Sequence, residues 1–162
     1  MEEIEMMESH DTPTQDERIL AALAHASIIL PFWGLVAAIV IWVTQREKSR
    51  FVGFQALQGA AYQLSLVLLA ILGGICYMCS FFGTFLTLPF GIIASEEATS
   101  PSVIGLLVSM GSTAIPFCLM GLFLLVGLVF VLYGLYGAVR VLQGEEFRYA
   151  VVGERLERYL NQ

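Results

Sequence analysis

Residues 51–95 read FVGFQALQGAAYQLSLVLLAILGGICYMCSFFGTFLTLPFGIIAS, forty-five positions without one charged side chain. A bilayer's hydrocarbon core is about 30 Å thick, and a helix crosses it with roughly 20 apolar residues. The stretch exceeds that length, and so do the equally uncharged residues 19–43 and 99–139. The chain therefore reads as an all-α, polytopic membrane helix bundle. Hydrophobic residues make up 57% and charged residues 14%, against about a quarter charged in a soluble domain.

The net charge of −6 is unevenly spread. Seven of the fourteen acids, Glu2, Glu3, Glu5, Glu8, Asp11, Asp16 and Glu17, lie in the first seventeen residues. The remainder is near neutral and has no basic stripe, which argues against nucleic-acid binding. The start is acidic where a signal peptide would be basic. Residues 1–15 read as a disordered acidic tail, and 16–144 as the transmembrane domain. Thr14 and Glu17 have the spacing of a capping box, with a chance match as the alternative.

The first span is expected over residues 18–44, kinked at Pro31, with Trp42 at an interfacial end. The loop that follows holds Arg46, Lys48 and Arg50, three of the eight basic residues. Short basic loops stay in the cytoplasm. A long helix over 52–79 should come next, then half-length segments 81–94 and 103–115 around a polar loop, then a span over 117–139. Arg140, Arg148, Arg155 and Arg158 place the C-terminus in the cytoplasm too. Three full spans across the plasma membrane, N-terminus outside, satisfy these charges; four are the alternative. In residues 145–162, Val152, Leu156, Tyr159 and Leu160 recur at helical spacing, as in an amphipathic interfacial helix.

Gln55, Gln58, Tyr62 and Ser65 share one face of the second span, with Gln63 on its flank. Such a stripe either glues helices together or lines a path for a solute. His25 has no carboxylate companion in any span, so its ring should act as a neutral hydrogen-bonding group. Cys76 and Cys79 form a CxxC inside apolar sequence, remote from Cys118, which makes a metal or redox centre the weaker reading. Gly83, Thr87 and Gly91 recur every four residues, as do Gly105, Ser109 and Thr113. Small faces of this kind let helices pack closely. No phosphate loop, nucleophile triad or paired intramembrane carboxylate is present, so neither an enzyme nor a cofactor is expected. The bilayer is the expected partner, with further copies or other membrane proteins beside it.

Three segments together carry a resemblance: Glu17-Arg18-Ile19-Leu20-Ala21-Ala22-Leu23-Ala24-His25-Ala26-Ser27; Ser49-Arg50-Phe51-Val52-Gly53-Phe54-Gln55-Ala56-Leu57-Gln58 with Tyr62-Gln63-Leu64; and Gly137-Ala138-Val139-Arg140-Val141-Leu142-Gln143-Gly144-Glu145 with Phe147-Arg148-Tyr149. They resemble a bacterial and archaeal family of small membrane proteins of unknown function. That family is itself similar to the twenty-kilodalton Tic component of the chloroplast import machinery. The chain departs from the pattern at Gln55, where histidine is usual, near Gly59, where alanine is, and at Ala150, where proline is. The resemblance implies a non-enzymatic role in protein translocation or membrane-protein assembly. A small carrier or channel is the alternative.

Overall fold

The structure is a computed structural model that describes residues 12–30, 32–96 and 103–150. All regular elements among them are helical. Helix α1 is Gln15–Ala26, followed by a 3-10 turn at Ser27–Ile29. Helix α2 is Trp33–Gln45, α3 is Arg50–Glu96 and α4 is Val103–Leu142.

Helix α1 starts where the capping-box spacing places it. The Thr14 hydroxyl accepts from Glu17 N at 3.4 Å, and Thr14 N donates to the Glu17 carboxylate at 2.7 Å. Its end corrects the sequence expectation. Residues 18–44 are not one kinked span but two short helices folded back on each other. Leu30 precedes a proline, which disfavours helical backbone, and it is extended at φ −98° and ψ 100°. Phe32 has φ 62°, a left-handed conformation uncommon outside glycine. The chain then returns. Ala24 of α1 and Ala38 of α2 share a buried cluster with Ala56 and Ala60 of α3. Ser49, beyond the end of α2, is near enough to Glu17, at the start of α1, to hold its carboxyl below the ordinary range.

Among the described residues two helices, where three full spans are expected, are long and apolar enough to cross a membrane: Arg50–Thr87 within α3 and Met110–Leu142 within α4. The half-length segments 81–94 and 103–115 are not separate elements. Helix α3 passes through Pro89 and α4 through Pro116. Each proline removes one backbone donor, a loss that membrane helices tolerate where neighbouring groups or local backbone adjustment satisfy the freed carbonyl.

The chain forms two compact units. In the first, built from residues 12–67 and 129–150, the core contains Ala21, Ala22, Ile28, Tyr62, Val141, Phe147 and Tyr149. In the second, residues 68–128, Gly73 lies under the Phe123 ring, and the Thr84 hydroxyl donates to Ser112 O at 2.6 Å. The expected small-residue faces are only partly engaged. A side chain at Gly83 would meet nothing within 4 Å. Thr87 is exposed and bonds back to Gly83 O and Thr84 O of its own helix. Gly105 and Thr113 make contacts, while the side-chain surroundings of Gly91 and Ser109 lie outside the described residues.

Helix α4 ends in a Schellman motif at Gly144, φ 86°. Gly144 N bonds Val141 O at 2.9 Å and Glu145 N bonds Arg140 O at 3.2 Å. The amphipathic helix expected from residue 145 does not begin there. Residues 145–149 are non-helical and turn at Ala150, because Phe147 and Tyr149 are drawn into the first unit's core. Val152, Leu156, Tyr159 and Leu160 lie outside the described residues.

Candidate functional site

The polar stripe of α3 faces inward. Gln55 and Gln58 are fully buried, and Tyr62 and Gln63 nearly so. Ser65, expected with them, is exposed and donates to Ala61 O in its own helix. Ten residues past Gln55 the helical face has rotated by about 80° at 3.6 residues per turn, which separates Ser65 from the stripe's buried start.

Three chain segments meet on this stripe. His25, in the last turn of α1, is 1% exposed. Its Nε2 lies 3.0 Å from Gln55 Oε1 and its Nδ1 lies 2.9 Å from the Tyr149 hydroxyl. An amide oxygen only accepts, so Nε2 carries the ring proton. Nδ1 then accepts from Tyr149. Burial pushes the Tyr149 phenol well above its ordinary range, with Tyr62 and Tyr133 adding to the effect, so it stays a donor. The histidine is a neutral relay point between two elements, as expected of a ring without a carboxylate.

Tyr149 is held in three ways. Its hydroxyl meets His25, its backbone N donates to Gln58 Oε1 at 2.8 Å, and its ring stacks on Tyr62 at 4.0 Å. Tyr62 in turn stacks on Phe130 at 5.2 Å and donates its hydroxyl to Phe130 O at 3.1 Å. Phe147 packs edge-on to both Tyr149 and His25, in the space left by Gly137. A Cβ at Gly137 would stand 2.7 Å from that ring.

Gln63 closes the other end of the site. Its Nε2 donates to Ala24 O and to Ser27 Oγ, both at 3.0 Å. Ser27 Oγ also reaches Ala24 O at 2.9 Å and Gly34 O at 3.0 Å. The broken backbone between α1 and α2 is thus bonded internally, Leu30 N to Ser27 O and Gly34 N to Leu30 O, and further by the Ser27 and Gln63 side chains. Without them an apolar environment would leave carbonyls unpaired.

This arrangement clamps α1, α3 and the segment after α4 together. Gln63 was legible only as a flank residue, and the role of Tyr149 was not legible at all: its partners lie 91 and 124 positions away. Cys76, Cys79 and Cys118 are exposed free thiols. Among the described residues no three His, Cys, Asp or Glu side chains gather as a metal site.

Residues 16–156 match the model of the magnetosome magnetite crystal formation protein family, MamF_MmsF. The chain belongs to this family. No curated protein and no solved structure matches it. The family match supports the expected small, bacterial, membrane-associated protein and gives no support to a likeness with the Tic component. It runs from the first turn of α1 past Tyr149, so every residue of the clamp falls inside the magnetosome-family region.

Proposed function

We propose that the chain is a non-enzymatic integral membrane protein of magnetosome biogenesis, acting at the membrane where magnetite crystals form. The observation that carries this is the family match over residues 16–156, joined to two helices of membrane-crossing length. A structural role suits the site. Its histidine, glutamines and tyrosines are engaged with one another and with backbone, in a core that ties α1, α3 and the segment after α4 together. The exposed apolar surfaces of α3 and α4, such as Leu86 at 71% and Leu124 at 68%, suit lipid tails or neighbouring membrane proteins. Protein translocation and solute transport have no observation in their favour beyond resemblance and the polar stripe.

Deleting the gene in a magnetite-forming host tests the proposal. Electron microscopy should show crystals altered in size, number or shape, restored by the intact gene. Crystals indistinguishable from wild type would refute it.

The basic turn after α2 belongs in the cytoplasm under this reading. Arg46 stacks over the Trp42 ring at 5.3 Å, a pairing suited to the membrane interface. A cysteine at Ser49 should resist impermeant thiol reagents on intact cells and react in inverted vesicles. Labelling from outside would reverse the orientation.

A further inference from the structure

We propose that the α1–α2 hairpin is a re-entrant element: it enters the hydrocarbon from one side, stops near the middle, and returns to the same side. The occupant of its apolar tip is lipid acyl chain. Three observations within the first unit carry this.

The first is length. Helix α1 has 12 residues and α2 has 13, about 18–20 Å each at 1.5 Å per residue. Neither reaches across a core about 30 Å thick.

The second is where the ends lie. Ser49 is near enough to Glu17 to hold its carboxyl below the ordinary range. A Cβ at Gly144 would stand 2.7 Å from the Arg18 guanidinium carbon. The start of α1, the turn before α3 and the end of α4 therefore share one end of this unit. The tip can be measured against the long helices. Ser27 meets Gln63, thirteen residues beyond Arg50, and Ile28 packs on Gly134, ten residues before Gly144. Those intervals are about 20 Å and 15 Å of helix, or one half to two thirds of the hydrocarbon.

The third is chemistry. At the tip Ile29 is 59% exposed, Leu30 57%, Phe32 67% and Trp33 74%. The charged side chains Glu17, Arg18, Arg46 and Lys48 all lie at the base. Within the tip, Gln63 and Ser27 bond Ala24 O, and Ser27 bonds Gly34 O. Non-helical backbone survives at membrane depth only with such internal partners. An apolar tip with bonded backbone and an ionic base is what insertion from one side requires. The hairpin adds the cross-section of two helices to one leaflet only.

Sidedness tests this. A full-length variant with Cys76, Cys79 and Cys118 changed to serine would carry either Thr12→Cys or Ser49→Cys. Impermeant maleimide would be applied to spheroplasts and to inverted vesicles. Both cysteines should label in the same preparation and stay protected in the other. Opposite sidedness would mean that residues 18–44 cross the membrane, and would overturn the proposal. Labelling of both from the outside would keep the hairpin and overturn only the orientation proposed above. Depth is the second measurement, using Trp42→Phe to isolate Trp33 and Trp33→Phe to isolate Trp42 in phosphatidylcholine vesicles. Trp33 should be quenched several-fold more by lipids brominated deep in the acyl chain than near the headgroup, and Trp42 the reverse. Strong quenching of Trp33 by aqueous iodide would place the tip in water and refute lipid insertion.

Discussion

Gly34→Ala should be among the most damaging single-methyl changes in this chain. The added carbon would collide with the Ser27 carbonyl oxygen, stand 2.7 Å from the Ser27 carbonyl carbon and 2.8 Å from Gln63 Oε1. Two of these atoms are backbone in the turn that reverses the hairpin, so no rotamer change relieves them. Carbon contacts are comfortable at about 3.5–4.0 Å, so the turn must shift by roughly an ångström. Overpacking of this kind costs about 1–3 kcal/mol. The shift also strains Ser27 Oγ to Gly34 O and the two Gln63 bonds, each worth about 0.6 kcal/mol in a membrane protein. The sum is about 3–5 kcal/mol, or roughly a hundredfold to several-thousandfold loss in the folding equilibrium constant.

Gly74→Ala is the control, because a Cβ there meets nothing within 4 Å. Both positions are helical, so the gain of up to about 1 kcal/mol in helix propensity is common to both and cancels. Titration of mild-detergent micelles with dodecyl sulfate would give the midpoints, read through the fluorescence of Trp33 and Trp42 in α2. Gly34→Ala should unfold at much lower dodecyl sulfate than Gly74→Ala. Equal midpoints would show that α1 and α2 are not folded against each other at this turn, and the hairpin would be refuted.

Tyr149→Phe keeps the stack on Tyr62 but removes the hydroxyl from His25, and should cost about 1 kcal/mol in the same titration; combined with His25→Leu it should cost less than the sum, and strict additivity would break the link. Gln58→Met removes the acceptor of Tyr149 N and should speed hydrogen exchange at that amide while moving the unfolding midpoint little; unchanged exchange would contradict the clamp. Ser49 first, and then Thr14, hold the Glu17 carboxyl below its ordinary value of 4.5. Its contribution is therefore complete above that value and lost as pH falls through the lower folded one. Acid should loosen the hairpin base in this window, and Ser49→Ala should lessen the effect; identical acid profiles for both proteins would refute it.

What the sequence disclosed was local chemistry. Thr14 and Glu17 are three residues apart, and their capping box formed as their spacing implies. The uncharged runs announced membrane-crossing helices but not their number: three full spans are expected from them, and two helices among the described residues are long and apolar enough. Pro31 announced a disturbance but not its size. A proline removes one donor, which suits a kink as well as a reversal. The reversal depends on Gly34 admitting Ser27 and on Gln63 supplying donors from another helix. Hydropathy also could not separate half-length segments from continuous helices at Pro89 and Pro116, since both keep the same residues apolar. The spacing of Gln55, Gln58 and Tyr62 showed a face but not its partner, because Tyr149 comes from beyond α4. Periodicity within one helix carries no information on such pairings.

The clamp has a cost that indicates its purpose. Gln55 and Gln58 each use their amide oxygen, yet Nε2 of both is buried without a partner among the described residues. A buried donor left unmade costs about 1–3 kcal/mol, similar to what each oxygen's bond returns. An apolar stripe of the same shape would be as stable. What it would lack is direction. Tyr62, Tyr133, Phe147 and Tyr149 form a continuous aromatic surface, along which a segment held by ring contacts alone could settle in several registers. Burial from water, which selects one register in a soluble core, gives little discrimination where lipid is as apolar as the core. Tyr149 donates its hydroxyl to His25 Nδ1 and its backbone N to Gln58 Oε1, which leaves it a single position. Because His25 lies in the last turn of α1, the same bonds fix the hairpin against the segment that follows α4. The glutamines therefore set position more than stability, which is why Gln58→Met should free the Tyr149 amide without unfolding the protein.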